Sequence, residues 1–318
     1  MYVSIIGSYD VLSPLADPVI GAIFANAEVA GMAAKSLIRV TLESEGDNTF
    51  EGKILRVTPQ RSYIGLPHRG CRVDIEVESD ANEIAIFEIQ IDPDIHIMKR
   101  DLFSASHIFT RTSSKGDTSA QMAAKLPRVI CINILGYNLR EDNKEVVQPF
   151  MIQYTKPPVQ VAIPNFSGYN IQLPRILEME PDFTNGLYCW GYTLYTAHVE
   201  GKTIKEVLDM QPALQTYARE DEGYQQFCEQ YQLVATDPRS RDEYAMWFNA
   251  RMREEGMKEA AIEIGLQQGM QQGIQQGIQQ QSIFIARNLI SANLSIDKIA
   301  EVTGLSTEEV LSIKNDAL

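Results

Sequence analysis

Asp74 and Glu88 lie in the segment CRVDIEVESDANEIAIFEIQ, residues 71–90, at a spacing that suits a divalent-metal site. The segment predicts two antiparallel β-strands, and a loop of residues 80–82 would place Asp74 directly opposite Glu88. Cross-strand partners have Cβ atoms about 5 Å apart. Two carboxylates at that distance repel unless one is protonated or a cation lies between them. An oxygen-seeking ion such as Mg²⁺ is the simplest way to relieve that repulsion.

Acidic side chains occupy one predicted face of the first strand, because successive residues point to opposite faces. That face carries Asp74, Glu76 and Glu78, and the other carries Val73, Ile75 and Val77. An exposed acidic hairpin face without chemistry is the alternative interpretation. Glu88 favours the metal site, because it interrupts the apolar run IAIFEIQI where a purely structural strand would more often continue with Val or Ile.

The elements that position these residues can be predicted from the spacing of the apolar residues. A helix is predicted over VIGAIFANAEVAGMAAKSLI, residues 19–38, and another over residues 95–115. Strands are predicted over FEGKILRVT, RVDIEVE, EIAIFEIQI and the apolar run RVICINILGY, residues 128–137. The order helix, three strands, helix, strand predicts an α/β core.

Three regions are predicted along the chain of 318 residues. Residues 1–140 form the core. Residues 141–238 complete the globular part, with an irregular stretch as far as residue 185 and helices from residue 203. Residues 239–318 comprise a long polar helix, the repeat GLQQGMQQGIQQGIQQ and a terminal two-helix module with Gly304 at its turn and Ser306 as a helix cap.

The repeat places a glycine at every fourth position and an apolar residue directly after each glycine. On a helix these residues form two adjacent ridges, and each glycine costs about 0.5–1 kcal/mol relative to alanine. Close packing of helices from different copies of the chain would offset that cost, which predicts a homo-oligomer. A flexible linker produced by repeat slippage is the alternative. The second helix of the terminal module is acidic, so we expect the module to pack or dimerise rather than read DNA.

Bulk composition argues against several classes of protein. The net charge of −14 argues against a protein that holds nucleic acid by bulk electrostatics. The four cysteines stand far apart without a CxxC pair, which favours a reducing cytoplasm over a disulfide framework or a zinc site. The most apolar stretch is too short for a membrane span and the first residues lack a basic signal region, so we expect neither membrane insertion nor export.

The order helix, VDIEVE, FEIQ, basic helix, ICINIL resembles the PD-(D/E)xK nuclease superfamily. More narrowly, the chain is similar to the recombination-promoting nucleases, also described as PD-(D/E)xK family transposases. That group pairs an Asp in a "vDi" strand with an "EiQ" motif, as Asp74 and the EIQ of residues 88–90 do here. An Arg follows the motif, here Arg100, and the chain ends in Gly-spaced repeats followed by IAEVTGLSTEEV. The resemblance covers most of the chain.

This resemblance implies a restriction-endonuclease-like core, a mixed sheet flanked by helices, and metal-assisted hydrolysis of DNA in recombination or mobile-element biology. Asp74, Glu88 and the main-chain carbonyl of Ile89 would bind Mg²⁺ or Mn²⁺, which polarises the scissile phosphate and lowers the pKa of a bound water. Gln90 would orient that water, because a neutral amide cannot act as a general base. A catalytically inactive nuclease fold that serves as an oligomeric binding module is the alternative.

Basic residues near the motif are candidates to bind the phosphates of DNA. They are Arg72, Lys99 and Arg100. For Arg100, a salt bridge to the acidic cluster is the alternative. Asp17 precedes the apolar "iF" segment typical of the group and is either an outer acid of the site or the N-cap of the first helix, with the N-cap favoured.

Overall fold

The chain folds into two compact units in a computed structural model that describes residues 10–63, 71–156 and 160–315. The N-terminal unit is Met1–Asn249 and the C-terminal unit is Ala250–Leu318. The residues that carry the predicted chemistry all belong to the N-terminal unit.

A six-stranded mixed sheet forms the centre of the N-terminal unit. Its strands are β1 (Ile54–Tyr63), β2 (Cys71–Ser79), β3 (Glu83–Gln90), β4 (Arg128–Leu135), β5 (Val147–Met151) and β6 (Phe166–Gln172). They lie in the order β1-β2-β3-β4-β6-β5. Strands β3, β4 and β6 are parallel, whereas β1–β2, β2–β3 and β5–β6 are antiparallel pairs. The predicted α/β core, with three strands, a helix and a fourth strand, is confirmed.

Helices cover both faces of this sheet. They are α1 (Asp17–Phe24), α2 (Ala27–Glu43), α3 (Ile97–Thr112), α4 (Ser119–Lys125), α5 (Leu173–Ile176), α6 (Gly186–Glu200), α7 (Ile204–Met210), α8 (Pro212–Glu220) and α9 (Glu222–Thr236). The main core lies between one face of the sheet and helices that include α1, α2, α6 and α9, and it buries Phe87 of β3. A second cluster lies between the opposite face and α3, and it buries Ile86. Alternation along β3 therefore assigns Glu88 and Gln90 to the α3 face.

The helix predicted over residues 19–38 is two helices in the structure. Helix α1 ends at Phe24 and α2 begins at Ala27. Between them, the side chain of Asn26 accepts a hydrogen bond from the backbone N–H of Glu28 and caps α2. Apolar residues continue at helical spacing across the break, so the periodicity alone does not reveal it. The cap residue is the signal that the prediction overlooked.

The stretch predicted as irregular, residues 141–185, contains two strands of the sheet. Strand β6 pairs in parallel with β4, and β5 pairs with β6 at the edge. The sequence FSGYNIQ of β6 lacks a polar and apolar alternation because both faces of the strand are buried. Helix α6 also begins well before residue 203, and its periodicity is hidden because most of its side chains are buried.

The alternation of side chains between the two faces of the sheet is interrupted at Gln60 on β1 and Asp74 on β2. The ladder of these two strands keeps one register from Arg56 to Tyr63, but Gln60 has a left-handed φ of 52°. As a result, Val73 packs in the cluster beneath α3, whereas Ile75 and Val77 pack in the main core. The prediction that these three residues share one face is wrong, because strict alternation fails where a strand is irregular.

The C-terminal unit contains most of a long helix, α10 (Pro238–Ser291), followed by α11 (Ile296–Thr303) and α12 (Thr307–Asn315). Gly304 has a left-handed φ of 70° at the turn, and Ser306 accepts a hydrogen bond from the backbone N–H of Glu309. A small core of this unit consists of the buried residues Ala286, Ile299 and Val310. The two terminal helices therefore bury apolar side chains within their own unit.

Candidate functional site

Strands β2 and β3 separate at the end where Asp74 lies. Their last ladder pair on this side is Ile75–Phe87, so the register is the predicted one in which Asp74 and Glu88 come next. Here Oδ2 of Asp74 accepts a 2.7 Å hydrogen bond from the backbone N–H of Ile89. The Asp74 side chain therefore bonds a backbone N–H group of β3 in place of a ladder hydrogen bond. This contact orients the Asp74 carboxylate toward β3. We refer to Asp74, Glu88 and Ile89 as the fork.

Arg100 of α3 contacts two other predicted site residues, Glu88 and Gln90. Its Nη2 donates to Oε2 of Glu88 at 3.0 Å, and its Nη1 lies 3.3 Å from Oε1 of Gln90 and 3.2 Å from Oδ2 of Asp94. The structure therefore brings Glu88, Gln90 and Arg100 together beside Asp74. The salt bridge that was the alternative for Arg100 is present.

Burial, assisted by nearby negative charges, raises the pKa values of the two carboxyl groups at the fork. Burial raises the pKa of Asp74 to about 6, although the hydrogen bond from Ile89 acts in the opposite direction. Burial raises the pKa of Glu88 to about 8, and the negative charge of Asp74 is the second cause. The positive charge of Arg100 lowers both pKa values only in part. Without a further cation, these effects shift Glu88 toward its protonated form.

Asp17 is the first residue of α1 rather than its N-cap. Ala16 occupies the cap position and makes no side-chain hydrogen bond to the helix, so the favoured prediction for Asp17 is wrong. The helix begins at Asp17 because Pro18 is well suited to the first turn. The charge of Asp17 raises the pKa of both Asp74 and Glu88, so its carboxylate lies near the fork.

The other two predicted phosphate ligands lie at the protein surface. Arg72 on β2 is exposed, and its charge lowers the pKa of Asp74. Lys99 on α3 is exposed and precedes Arg100. Neither Arg72 nor Lys99 has an ion-pair partner within the described part of the chain. Both cations are therefore available to an external anion.

The remaining acids of β2 belong to an ion network on the α3 face. Both oxygens of Glu76 accept hydrogen bonds from Nη1 of Arg111, at 3.1 and 2.9 Å, and the Tyr63 hydroxyl also donates to this carboxylate. Glu78 pairs with Arg56 at 2.6 Å and with Arg111 at 3.2 Å. Glu76 is only 1% exposed, so an exposed acidic face is the wrong description of this strand.

A row of polar side chains crosses the sheet at the level of Glu88, and the sequence analysis missed it. Glu88 on β3, Asn133 on β4, Asn170 on β6 and Gln148 on β5 are successive register partners. Asn133 donates to Oδ1 of Asn170 at 2.9 Å and to Oδ2 of Asp101, on α3, at 2.7 Å. The available signal was an Asn in each of the otherwise mostly apolar runs RVICINIL and FSGYNIQ.

Asp101 links this row to the fork electrostatically. Burial raises the pKa of Asp101 to about 7, although the hydrogen bond from Asn133 acts in the opposite direction. The charge of Asp101 in turn contributes to the raised pKa of Glu88. The row therefore attaches α3, which carries Arg100, to the strand next to Glu88.

The donor set at the fork fits a hard divalent cation. The carboxylates of Asp74 and Glu88 and the main-chain carbonyl of Ile89 are all oxygen ligands. The hydrogen bonds from Ile89 and Arg100 use one oxygen of each carboxylate. Among the described residues, no three acidic, histidine or cysteine side chains converge on one point. An ion at the fork would therefore take its remaining ligands from the carbonyl, water or a phosphate.

Comparison with known families decides the assignment of this chain. The family described as PD-(D/E)XK nuclease family transposase matches residues 65–263, which is more than half of the chain. The chain belongs to this family. Searches of the curated proteins and of the solved structures gave no match.

Membership of the PD-(D/E)XK transposases agrees with the architecture of the chain. A mixed six-stranded sheet flanked by helices, followed by a long C-terminal helix, is consistent with a restriction-endonuclease-like fold. The family is one of nucleases linked to mobile elements, and PD-(D/E)XK nucleases generally use divalent metals. No helix in the described ranges is both long and apolar enough to cross a membrane.

Proposed function

We propose that this transposase-family chain is an active, metal-dependent DNA endonuclease that hydrolyses phosphodiester bonds in recombination or in the movement of mobile elements. The observation that carries the proposal is the fork, where burial raises the pKa of both carboxyl groups, and the charge of Asp74 raises that of Glu88 further, beside Gln90 and Arg100. Strongly perturbed carboxyl groups of this kind mark functional sites more often than structural ones.

Each residue of the fork has a role in this proposal. Asp74, Glu88 and the carbonyl of Ile89 bind Mg²⁺ or Mn²⁺, with Asp17 as an outer acid. The bound ion supplies polarisation of the scissile phosphate and acidification of a water. Because Oε1 of Gln90 lies beside the guanidinium of Arg100, the amide NH₂ group of Gln90 points elsewhere and can donate to that water.

Arg72, Lys99 and Arg100 contact the DNA backbone in this proposal. The planar guanidinium group of Arg100 carries five N–H donors, so it can bind Glu88 and still donate to a phosphate oxygen. Arg72 on β2 and Lys99 on α3 supply further positive charge. These three contacts matter because a chain with a net charge of −14 gains little from non-specific attraction to DNA.

One observation favours the alternative of an inactive nuclease fold that serves as an oligomeric binding module. Arg100 already gives Glu88 a positive partner at 3.0 Å. A partly buried ion pair of that kind can exist for structure alone. Measurement of cleavage therefore decides between the two functions.

We also propose that copies of the chain associate through their C-terminal helices. The apolar residues of the repeat, Leu266, Met270, Ile274 and Ile278, are each at least 61% exposed. A Cβ atom added to any of the intervening glycines would meet no atom within 4 Å. Both ridges of α10 are therefore open to a second helix.

The compartment that we propose is the reducing cytoplasm, where the free thiols of Cys131, Cys189 and Cys228 would persist.

The test of the nuclease is cleavage of plasmid DNA with Mg²⁺, Mn²⁺ or Ca²⁺. We expect Mg²⁺ or Mn²⁺ to support cleavage by the native chain and Glu88→Gln to reduce the rate at least 100-fold, because the amide cannot provide an anionic metal ligand. Glu83→Gln is the matched control, since Glu83 lies on the same strand at the opposite end and pairs with Arg128. Glu88→Gln with the native cleavage rate would show that the fork is not the active site.

A further inference from the structure

Helix α3 presents exposed apolar side chains on the side that faces away from the sheet. Met98, Leu102 and Phe103 are 44%, 47% and 45% exposed, and Lys99 stands among them. The inward side of α3 is different, because its buried residues include Asp101, Ala105 and Ile108. This combination of apolar groups and a cation lies on the helix that places Arg100 on Glu88. We refer to Met98, Lys99, Leu102 and Phe103 as the outer face of α3.

Phe103 is the exposed end of a short series of aromatic rings that contact one another. Its ring lies edge-on to the His107 ring, at 4.8 Å and 81°. The His107 ring lies parallel to the Tyr63 ring at 5.8 Å, and the Arg111 guanidinium is 5.8 Å from the centre of the Tyr63 ring. These contacts hold the Phe103 ring from one side and leave nearly half of the side chain uncovered. A rigid and partly exposed ring of this kind can accept another aromatic ring by stacking.

The position of Phe103 suits the nucleotide next to the cleaved bond. Phe103 follows Arg100 by three residues, which is a rise of about 4.5 Å along the helix axis. Successive bases of one DNA strand are about 3.4 Å apart along the duplex axis. A strand whose phosphate is bound near Arg100 and the fork can therefore bring a neighbouring base to Phe103.

The charge of the outer face favours nucleic acid over a protein partner. Lys99 lies between Met98 and Leu102 in sequence and has no ion-pair partner among the residues that the structure describes. The cores of protein interfaces are depleted in lysine. Grooves that bind single strands, in contrast, combine aromatic rings for the bases with cations for the backbone.

We propose that the outer face of α3 binds an unpaired base beside the scissile phosphate, with the base stacked on Phe103 and flanked by Leu102. A paired base inside a duplex does not present its flat surface to a side chain, so the preferred substrate contains a single-stranded stretch at the cut. This inference rests on the proposed nuclease function, because it uses the fork to place the phosphate. It adds the substrate class: single-stranded, flapped or locally opened DNA.

The test uses the full chain with Glu88→Gln and EDTA, so that binding is measured without cleavage. The probes are a single-stranded oligonucleotide that contains 2-aminopurine and the duplex of the same sequence. We expect the single strand to bind more tightly and its 2-aminopurine fluorescence to fall as the base stacks. Phe103→Ala should weaken single-strand binding between about 5-fold and 100-fold and abolish the change in fluorescence. Phe103→Trp should restore both signals, which a loss of helix packing would not allow.

Met151→Ala is the matched control, because Met151 is also 45% exposed and lies on the edge strand β5. Its affinity for the single strand should equal that of the parent. Equal affinity for single strand and duplex, or an unchanged affinity in Phe103→Ala, would overturn the proposal. A Phe103→Ala chain that binds DNA normally but shows a smaller mass by light scattering would assign this face to a protein interface instead. Because these experiments contain no metal, they can fail while cleavage at the fork is still observed.

Discussion

At the scale of single residues, Glu76 and Glu88 differ in how far neighbouring groups compensate their negative charge rather than in how deeply they are buried. Glu76 and Glu88 are both buried, and both contact an arginine. Glu76 accepts hydrogen bonds from Arg111 through both oxygens and from a tyrosine hydroxyl. Glu88 has one contact with Arg100 and faces the charge of Asp74, which together with burial raises its pKa to about 8. A buried carboxylate that its surroundings leave undercompensated is suited to bind a cation.

The raised pKa of Glu88 predicts how stability depends on pH in the absence of metal. The folded protein holds this proton up to about pH 8, whereas an unfolded chain releases it near the ordinary value of 4.5. The folded state therefore binds more protons between these values, and its stability should fall as the pH rises through that window. Glu88→Gln should make this fall shallower. Thermal unfolding in EDTA at several pH values measures the effect.

Glu78→Gln is the control for this experiment, because ion pairs with Arg56 and Arg111 are among the causes that lower the pKa of Glu78, although burial opposes them. That variant should keep the fall in stability between pH 4.5 and 8. Asp74 and Asp101 also have raised pKa values, so some fall should persist in Glu88→Gln. If Glu88→Gln follows the native profile throughout, Glu88 is not the group that holds the proton.

At the scale of elements, the site depends on the end of one strand pair and on the attachment of one helix. Strands β2 and β3 separate beyond Ile75–Phe87, which allows the side chain of Asp74 to reach the backbone of β3. Helix α3 packs on the sheet face that carries Glu88, and a hydrogen bond from Asn133 on β4 to Asp101 on α3 attaches it there. The polar row therefore sets the position of the helix that carries Arg100.

We expect Asn133→Leu to destabilise the protein by roughly 2–5 kcal/mol. The leucine also branches at Cγ but leaves Asp101 and Asn170 without their donor, and each unsatisfied buried group costs about 1–3 kcal/mol. Urea unfolding at neutral pH measures the change. Ile132→Val, on the same strand and the opposite face, should cost only about 0.5–1.5 kcal/mol. A smaller loss in Asn133→Leu than in Ile132→Val would show that the row does not stabilise the fold.

At the scale of the whole molecule, the proposed active site and the proposed association surface lie in different units. The fork belongs to Met1–Asn249, and the repeat belongs to Ala250–Leu318. The repeat advances by four residues, slightly more than one helical turn of 3.6, so its two ridges wind around α10. Ridges of this type pack at crossing angles near −50° rather than along a parallel coiled coil. The proposed association is therefore a crossing of helices, which brings two nuclease units into one assembly.

Truncation after Arg253 should leave the N-terminal unit folded and lower the oligomeric state. Two active sites in one assembly can cut both strands of a duplex, and their linkage raises the local concentration on DNA. We therefore expect the truncated chain to lose double-strand cutting more than single-strand nicking. Light scattering measures the mass, and plasmid topology separates nicked from linear product. Ile274→Gln together with Ile278→Gln should reproduce the loss of mass in the full chain, whereas an unchanged mass on truncation would leave the repeat as a linker.

The sequence alone determined those features that depend on short-range order. The length of the loop between β2 and β3 was enough to predict their register, and therefore the adjacency of Asp74 and Glu88. The spacing of apolar residues predicted β1 to β4 and α3. In each of these elements, either one face or a continuous run of side chains is apolar and packs in the core. The order of several short motifs along the chain, with Asp74, Glu88 and Gln90 among them, was sufficient to predict the family.

Only the tertiary structure decided the features that depend on residues far apart in the chain. The left-handed Gln60 moved Val73 to the opposite face from Ile75, and no alternation rule anticipates such a bend. Asp101 and Asn133 meet because β4 inserts beside β3 in parallel, and a parallel pairing is set by the packing of its crossover helix. Long-range pairings of this kind leave no periodic trace in the sequence, so the two apolar runs show their Asn residues but not that Asn133 meets Asn170 and Asp101.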